Sequence, residues 1–242
     1  MMKFRLLTAT AWLYATQAMA ELPPEATEQW TPVPPVVSSP RDAPPSDAIA
    51  LFTGANANEW ESLEGQPVKW KVADGALIVE PRTGDIRTKQ SFGNIQLHLE
   101  FRTPTPARCD GQNRGNSGVF FMGLYELQVL DSYENKTYVN GQAASVYKQY
   151  PPLVNASRPP GEWQTYDVLF FAPQFAPAGA VTPARMTVFH NGVLVQNNVA
   201  LRGGTVYKGK PSYTPHESKL PLVLQDHGNA VAFRNIWVRP IS

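Results

Sequence analysis

Ile95-Gln-Leu-His-Leu-Glu-Phe-Arg102 alternates without a break. Ile95, Leu97, Leu99 and Phe101 fall on one side, and Gln96, His98, Glu100 and Arg102 on the other. That period of two belongs to a strand buried on one face and cannot sit still as a helix. Two β-rich stretches elsewhere are broken by turn dipeptides, Asp74-Gly75 and Asn191-Gly192, the strongest short hairpin signals. Further strands are expected at 118–122, 125–130, 163–171, 222–225 and 231–238. No segment sustains a 3.6 period, and turn residues interrupt the chain about every ten positions. About ten strands in roughly 195 residues predict an all-β sandwich of two antiparallel sheets, with a closed barrel as the alternative.

The N-terminus does not fit that pattern. Lys3 and Arg5 precede an apolar stretch, Leu6 to Thr16, which runs into Ala18-Met19-Ala20. This layout reads as a secretory signal peptide over residues 1–20. It is too short and interrupted for a transmembrane span, so no stable membrane insertion is expected. Residues 21–47 follow with eight of the chain's 23 prolines, a density that blocks ladders and favours a disordered, extended linker. The folded domain is expected over 48–242. The protein is expected to be exported, either to the periplasm or to the medium.

Composition removes several functions. Lys plus Arg number 21 against 20 Asp plus Glu, which lacks the basic excess of a nucleic-acid binder. The single cysteine, Cys109, excludes an intrachain disulfide framework and any multi-thiolate metal site. No dinucleotide fingerprint, phosphate-binding loop, zinc-protease motif or serine-esterase elbow occurs.

Chemistry-bearing residues concentrate in four places. The loop Asn113-Arg-Gly-Asn-Ser-Gly118 runs straight into an apolar strand and offers Arg114 and Asn116 to a hydroxylated ligand. In Tyr125-Glu-Leu-Gln-Val-Leu-Asp131, alternation puts Glu126 and Gln128 on one face. Asp131 joins them only if a bulge re-aims it. Two carboxyls on one surface suit glycosyl chemistry, where one group shuttles protons at the leaving oxygen and the other acts as base or nucleophile. Leu222-Val-Leu-Gln225-Asp226-His227-Gly228 ends a strand in a polar cluster. Gln225 and His227 share a face there, and His227 suits a base or a metal ligand. The competing reading makes Asp226 and His227 a turn, with Asp226 bonding backbone amides. The fourth place is the long connection carrying Tyr147 and Lys148, ahead of Gly161-Glu-Trp163. His98, His190 and His216 lack such polar neighbours and read as structural or solvated.

Leu51-Phe-Thr-Gly54, Asn116-Ser-Gly-Val-Phe-Phe121, Tyr125–Asp131, Gly161-Glu-Trp-Gln-Thr-Tyr-Asp167, His190-Asn-Gly-Val193, Leu224-Gln-Asp-His-Gly228 and Phe233–Pro240 occur in an order that resembles the bacterial 3-keto-disaccharide hydrolase domain. The resemblance covers residues 48–242. It implies a concanavalin-A-like jelly-roll β-sandwich that cleaves glycosidic bonds of 3-keto-disaccharides or 3-keto-glycosides. It implies a carbohydrate substrate and a site built from Arg114, Glu126, Gln128, Asp131, Gln225, Asp226 and His227. Jelly-roll endoglucanases similar to laminarinase place their acids with E-x-D-x-x-E. Here Glu126-x-Gln128-x-x-Asp131 has that spacing, with an amide in the middle and a shorter last acid. A ketone at C3 acidifies the C2 proton, so a base such as His227 or Glu126 could remove it. An acid such as Asp131 would help the C1 substituent leave, and Arg114 or a divalent cation would stabilise the enolate. Tyr147 and Lys148 are further substrate-binding candidates. A carbohydrate-binding module without catalysis is the alternative from another class. A tethered structural envelope protein is the third.

Overall fold

The computed structural model describes residues 22–40 and 43–241; the expected signal peptide lies outside them. The described residues 22–36 belong to a unit of their own. Their one regular element is a 3-10 turn at Pro24–Thr27, where proline occupies the first turn. The main unit runs from Val37. Its entry is pinned by the Ser46 amide on the Ser38 carbonyl at 3.0 Å and by a two-pronged Arg239–Asp47 pair at 2.8 and 2.6 Å.

Fifteen strands build it: β1 (Ile49–Phe52), β2 (Trp60–Ser62), β3 (Lys71–Ala73), β4 (Ala76–Ile78), β5 (Ile86–Phe92), β6 (Ile95–Arg102), β7 (Ser117–Phe121), β8 (Tyr125–Val129), β9 (Gln164–Phe171), β10 (Gln174–Phe175), β11 (Val181–Thr182), β12 (Arg185–His190), β13 (Val193–Ala200), β14 (Leu220–Leu224) and β15 (Ala232–Pro240). One antiparallel sheet has the order β13-β12-β9-β6-β15-β4-β3, with β1 also on β15. The second has the order β2-β5-β14-β7-β8, and β10 and β11 pair apart from both. Neither main sheet closes into a barrel, so the molecule is the sandwich and the barrel alternative falls.

The alternation at residues 95–102 is realised residue for residue, with Ile95, Leu97, Leu99 and Phe101 buried and their neighbours half-exposed. They pack against the inward faces of β7 and β8, and aromatic contacts such as Phe121–Phe170 and Phe101–Tyr166, at 4.8 and 4.7 Å, thicken the core. Tyr166 on β9 donates its hydroxyl across the core to the Gln128 carbonyl at 2.8 Å. This bond satisfies a buried phenol and ties the sheets together behind β8. Both expected hairpins form. Asp74 and Gly75 take φ of 51° and 71°, and Asn191 and Gly192 take 53° and 78°, the doubly left-handed backbone that matches strand twist.

More strands form than the pattern predicts, and β5 is the one that matters. Its burial does not alternate, because a register shift interrupts its pairing with β14 between Pro221 and Val223. Thr88 turns inward at the irregularity, giving its hydroxyl to Gln90 O and taking the Leu222 amide. A bulge of this kind erases the period-two signature.

Candidate active site

The outer face of the five-stranded sheet carries the site. On the β7–β8 hairpin, Gly118 pairs with Gln128 and Phe120 with Glu126. Tyr125, Leu127 and Val129 point into the core, so Glu126 and Gln128 must point out. They are nevertheless buried, at 4% and 1% exposure, because two loops fold over them. The 139–150 loop bonds along the free side of β8, with Ala144 N on Gln128 O at 3.0 Å and Tyr147 N on Glu126 O at 3.2 Å. This blunts a sheet edge that would otherwise be open. The 203–207 loop adds Thr205, whose hydroxyl accepts the Glu126 amide at 3.0 Å.

These loops close a cavity of about 340 Å³, within the range of small-molecule sites. Glu126, Gln128 and Asn116 line one wall, Gln225 and His227 another, and Phe120, Tyr147, Thr205 and Tyr207 complete it. Gly118 makes room for the acid. A Cβ there would meet Phe120 Cε2 at 2.9 Å and Glu126 Oε1 at 3.0 Å.

Hydrogen bonds and burial both bear on the charge of Glu126. The Gln112 amide nitrogen donates to Gly141 O at 2.8 Å, and that of Asn116 to Gln112 O at 2.6 Å. Carbonyls only accept, so both amides are fixed with their oxygens toward Gln128. Gln128 Nε2 meets those oxygens at 3.1 and 3.5 Å. Its Oε1 therefore lies 3.0 Å from Glu126 Oε1. A proton on the carboxyl would make that contact a hydrogen bond, whereas with the Gln128 amide reversed its nitrogen would donate to Glu126 Oε1. The Ser117 carbonyl, 3.1 Å from the same oxygen, is the one unfavourable neighbour of this arrangement. Reversing the Gln128 amide would relieve it but set an oxygen against those of Gln112 and Asn116. Burial pushes the Glu126 carboxyl up to about 8, with the charge of Asp85 adding to the shift.

Asp131 behaves differently. Strand β8 ends at Val129, and the Asp131 amide then bonds Arg114 O at 3.2 Å, so its side chain follows the 113–118 loop. Its carboxylate takes Arg114 Nε at 2.7 Å and the Tyr133 amide at 3.2 Å. Both residues line a neighbouring cavity of about 310 Å³ with Gly228 and Asn229. No bulge re-aims Asp131 beside Glu126, and Arg114 is committed to it.

The 225–228 segment follows both readings at once. Gln225 and His227 reach the cavity. Asp226 turns away as a loop staple, accepting Thr83, Gly84 and Gly228 amides at 2.9, 3.1 and 2.9 Å. In return Asp85 Oδ1 accepts the Asp226 amide at 2.8 Å. Asp85, which pattern reading passes over, is thereby anchored close enough to feel the charges of Asp226 and His227. Burial is the main cause that raises its carboxyl above the usual range. Tyr147 bonds Tyr138 hydroxyl to hydroxyl at 2.7 Å, and burial pushes its phenol up. Lys148 donates to Tyr207 O at 2.6 Å and stands 4.1 Å from that ring's centre, so it braces the cavity rim. His190 is buried against Gln164 and His216 bonds Tyr125. His98 is held by Asp167 and Asn235.

Among the described residues no three His, Cys, Asp or Glu side chains group to hold a metal. No helix of the described residues is long and apolar enough to cross a membrane.

Two antiparallel sheets with a ligand-sized polar cavity on one outer face define a jelly-roll sandwich with a candidate small-molecule site. The profile of the 3-keto-alpha-glucoside-1,2-lyase-like domain matches residues 47–239, and the chain belongs to that family. A curated relative from Bacteroides thetaiotaomicron, a 3-keto-disaccharide hydrolase, is 23% identical over 159 residues. That match covers 51% of this chain and about half, 52%, of the relative. A crystal structure from Parabacteroides distasonis, provisionally named a glycosyl hydrolase, is 45% identical with a TM-score of 0.89. It covers 92% of this chain and 98% of its own. A second structure from that organism, under the same provisional name, shares the fold at 20% identity and a TM-score of 0.60. That alignment covers 81% of this chain and 94% of the other.

Proposed function

We propose that the protein cleaves the glycosidic bond of 3-keto-glycosides, 3-keto-disaccharides among them, by elimination followed by hydration. The observation that carries this is the buried carboxyl of Glu126, raised to about 8 by its burial, in a polar cavity that His227 also lines. Family membership and the names of its relatives support the same substrate class.

His227 takes the C2 proton, which the C3 ketone has acidified. The C1–C2 double bond forms, the C1–O bond breaks, and Glu126 gives its proton to the leaving oxygen. Water then adds to the enone. Its oxygen bonds C1, Glu126 recovers a proton from it, and protonated His227 returns a proton to C2. Both groups end as they began. The side chain of Gln225 bonds no described protein group, which leaves its amide free to donate to the enolate oxygen. Asp131 has no part in these steps, because Arg114 holds it as a paired carboxylate. We further propose that the activity is exported, a reading supported by the signal-peptide pattern of residues 1–20.

The test is turnover of a 3-keto-disaccharide in heavy water. Deuterium at C2 of the product or of recovered substrate is expected. Turnover without C2 deuterium would overturn elimination in favour of direct hydrolysis. Saturable sugar binding with no turnover of any 3-keto-glycoside would make the domain a binding module.

A further inference from the structure

The five-stranded sheet carries one unbroken row of side chains across its outer face. Glu126 on β8 pairs with Phe120 on β7, Phe120 with Val223 on β14, Val223 with Arg87 on β5, and Arg87 with Glu61 on β2. Cross-strand partners lie on the same face, so the row runs perpendicular to the strands. At about 4.8 Å per strand its four steps span about 19 Å. The Glu126 end is closed by the two loops. Beyond Phe120 a second cavity of about 330 Å³ continues, lined by Leu63, Asp85, Arg87, Gly123, Pro221 and Val223. Phe120 lines both cavities.

The second cavity has an apolar floor and a charged far rim. Phe120 and Val223 lie side by side, and Leu63 is 44% exposed beside them. Gly123, at φ 66°, contributes no side chain, and a Cβ there would stand 3.6 Å from Val223. Arg87 then rises at the end, paired with Glu61 at 2.9 Å, and Asp85 flanks it. A hexose ring has the matching shape, with C–H groups on a face and hydroxyls around its rim. An apolar floor accepts the face, and the charged groups satisfy hydroxyls that would be costly to desolvate unpaired.

We infer that this second cavity binds the leaving group, and that its occupant is a sugar ring, so the preferred substrates are disaccharides or longer glycosides. The inference rests on the reaction placed at Glu126. The closed end takes the 3-keto ring, and the aglycone lies along Phe120 and Val223 toward Arg87.

The experiment compares kcat/KM for a 3-keto-disaccharide and for methyl 3-keto-glucoside, in the natural protein and in Val223→Asp. The natural protein should prefer the disaccharide by at least about tenfold, the scale of one well-filled subsite. Val223→Asp should collapse that preference. No preference in the natural protein, or an equal loss on both substrates, overturns the subsite. A second arm needs no turnover. The unoxidised disaccharide is titrated into the natural protein and backbone amide shifts are followed by NMR. Perturbation at Arg87, Gly123 and Val223 is expected, and perturbation confined to the Glu126 cavity contradicts it. Absent turnover with those shifts present would sink the reaction and leave the subsite standing.

Discussion

Glu126 and Asp131 lie on one short segment, and both are almost fully buried, yet they solve burial in opposite ways. Asp131 is paired with Arg114 at 2.7 Å. Glu126 has no cation in contact among the described residues, and burial pushes its carboxyl up to about 8. A carboxyl held by an arginine is a strut. One held without a counter-charge, in a cavity open to a ligand, has a proton to give.

Removing that proton carrier should have the largest effect. Glu126→Gln is nearly isosteric and should lower kcat on a 3-keto-disaccharide by about 10²- to 10⁴-fold, as should His227→Ala. Steady-state kinetics check both, and retained activity in either variant removes that residue from the reaction. Asp131→Ala should instead cost stability. It leaves a half-buried guanidinium uncompensated, a loss of about 3–5 kcal/mol, with a lowered Tm in thermal melts. A stable Asp131→Ala protein without activity would reverse the assignment of the two acids.

The pH dependence of stability separates them more finely. The folded carboxyl of Glu126, at about 8, lies above its ordinary value of 4.5. The native state thus holds a proton that the unfolded state releases. Its contribution is fully present below about 4.5 and is lost as pH rises through about 8. Denaturation midpoints should show Glu126→Gln gaining on the natural protein by up to about 1.4 kcal/mol per pH unit within that window. Catalysis should fall on the same basic limb. The smallest effect is expected from Gly118→Ala, whose methyl would press on Phe120 and Glu126. A loss of about tenfold in kcat/KM with little change in Tm would show that Gly118 serves acid placement, since a misplaced reacting group costs rate before stability.

What the sequence disclosed follows from where side-chain period survives. Residues 95–102 and the two hairpins could be read directly, because alternation and left-handed turn residues are local. The shared face of Glu126 and Gln128 was legible for the same reason. Asp131 was not, since its direction depends on a backbone bond to Arg114 after the strand ends. The two readings of 225–228 could not be separated from local pattern, because the amides that claim Asp226 belong to Thr83 and Gly84, far away in sequence. Asp85 and Arg87 stayed hidden because the bulge at Thr88 hides the strand that carries Arg87 and begins just after Asp85. The raised carboxyl of Glu126 was equally out of reach, since it depends on two loops, distant in sequence, that bury the side chain.

Carbon-13 NMR of the carboxyl groups, with Glu126→Gln used to assign the Glu126 signal, tests the central claim most directly. Glu126 should titrate with a midpoint near 8. A Glu126 midpoint near 4.5 would contradict the account, because the cavity would then hold a carboxylate with no proton to give the leaving oxygen.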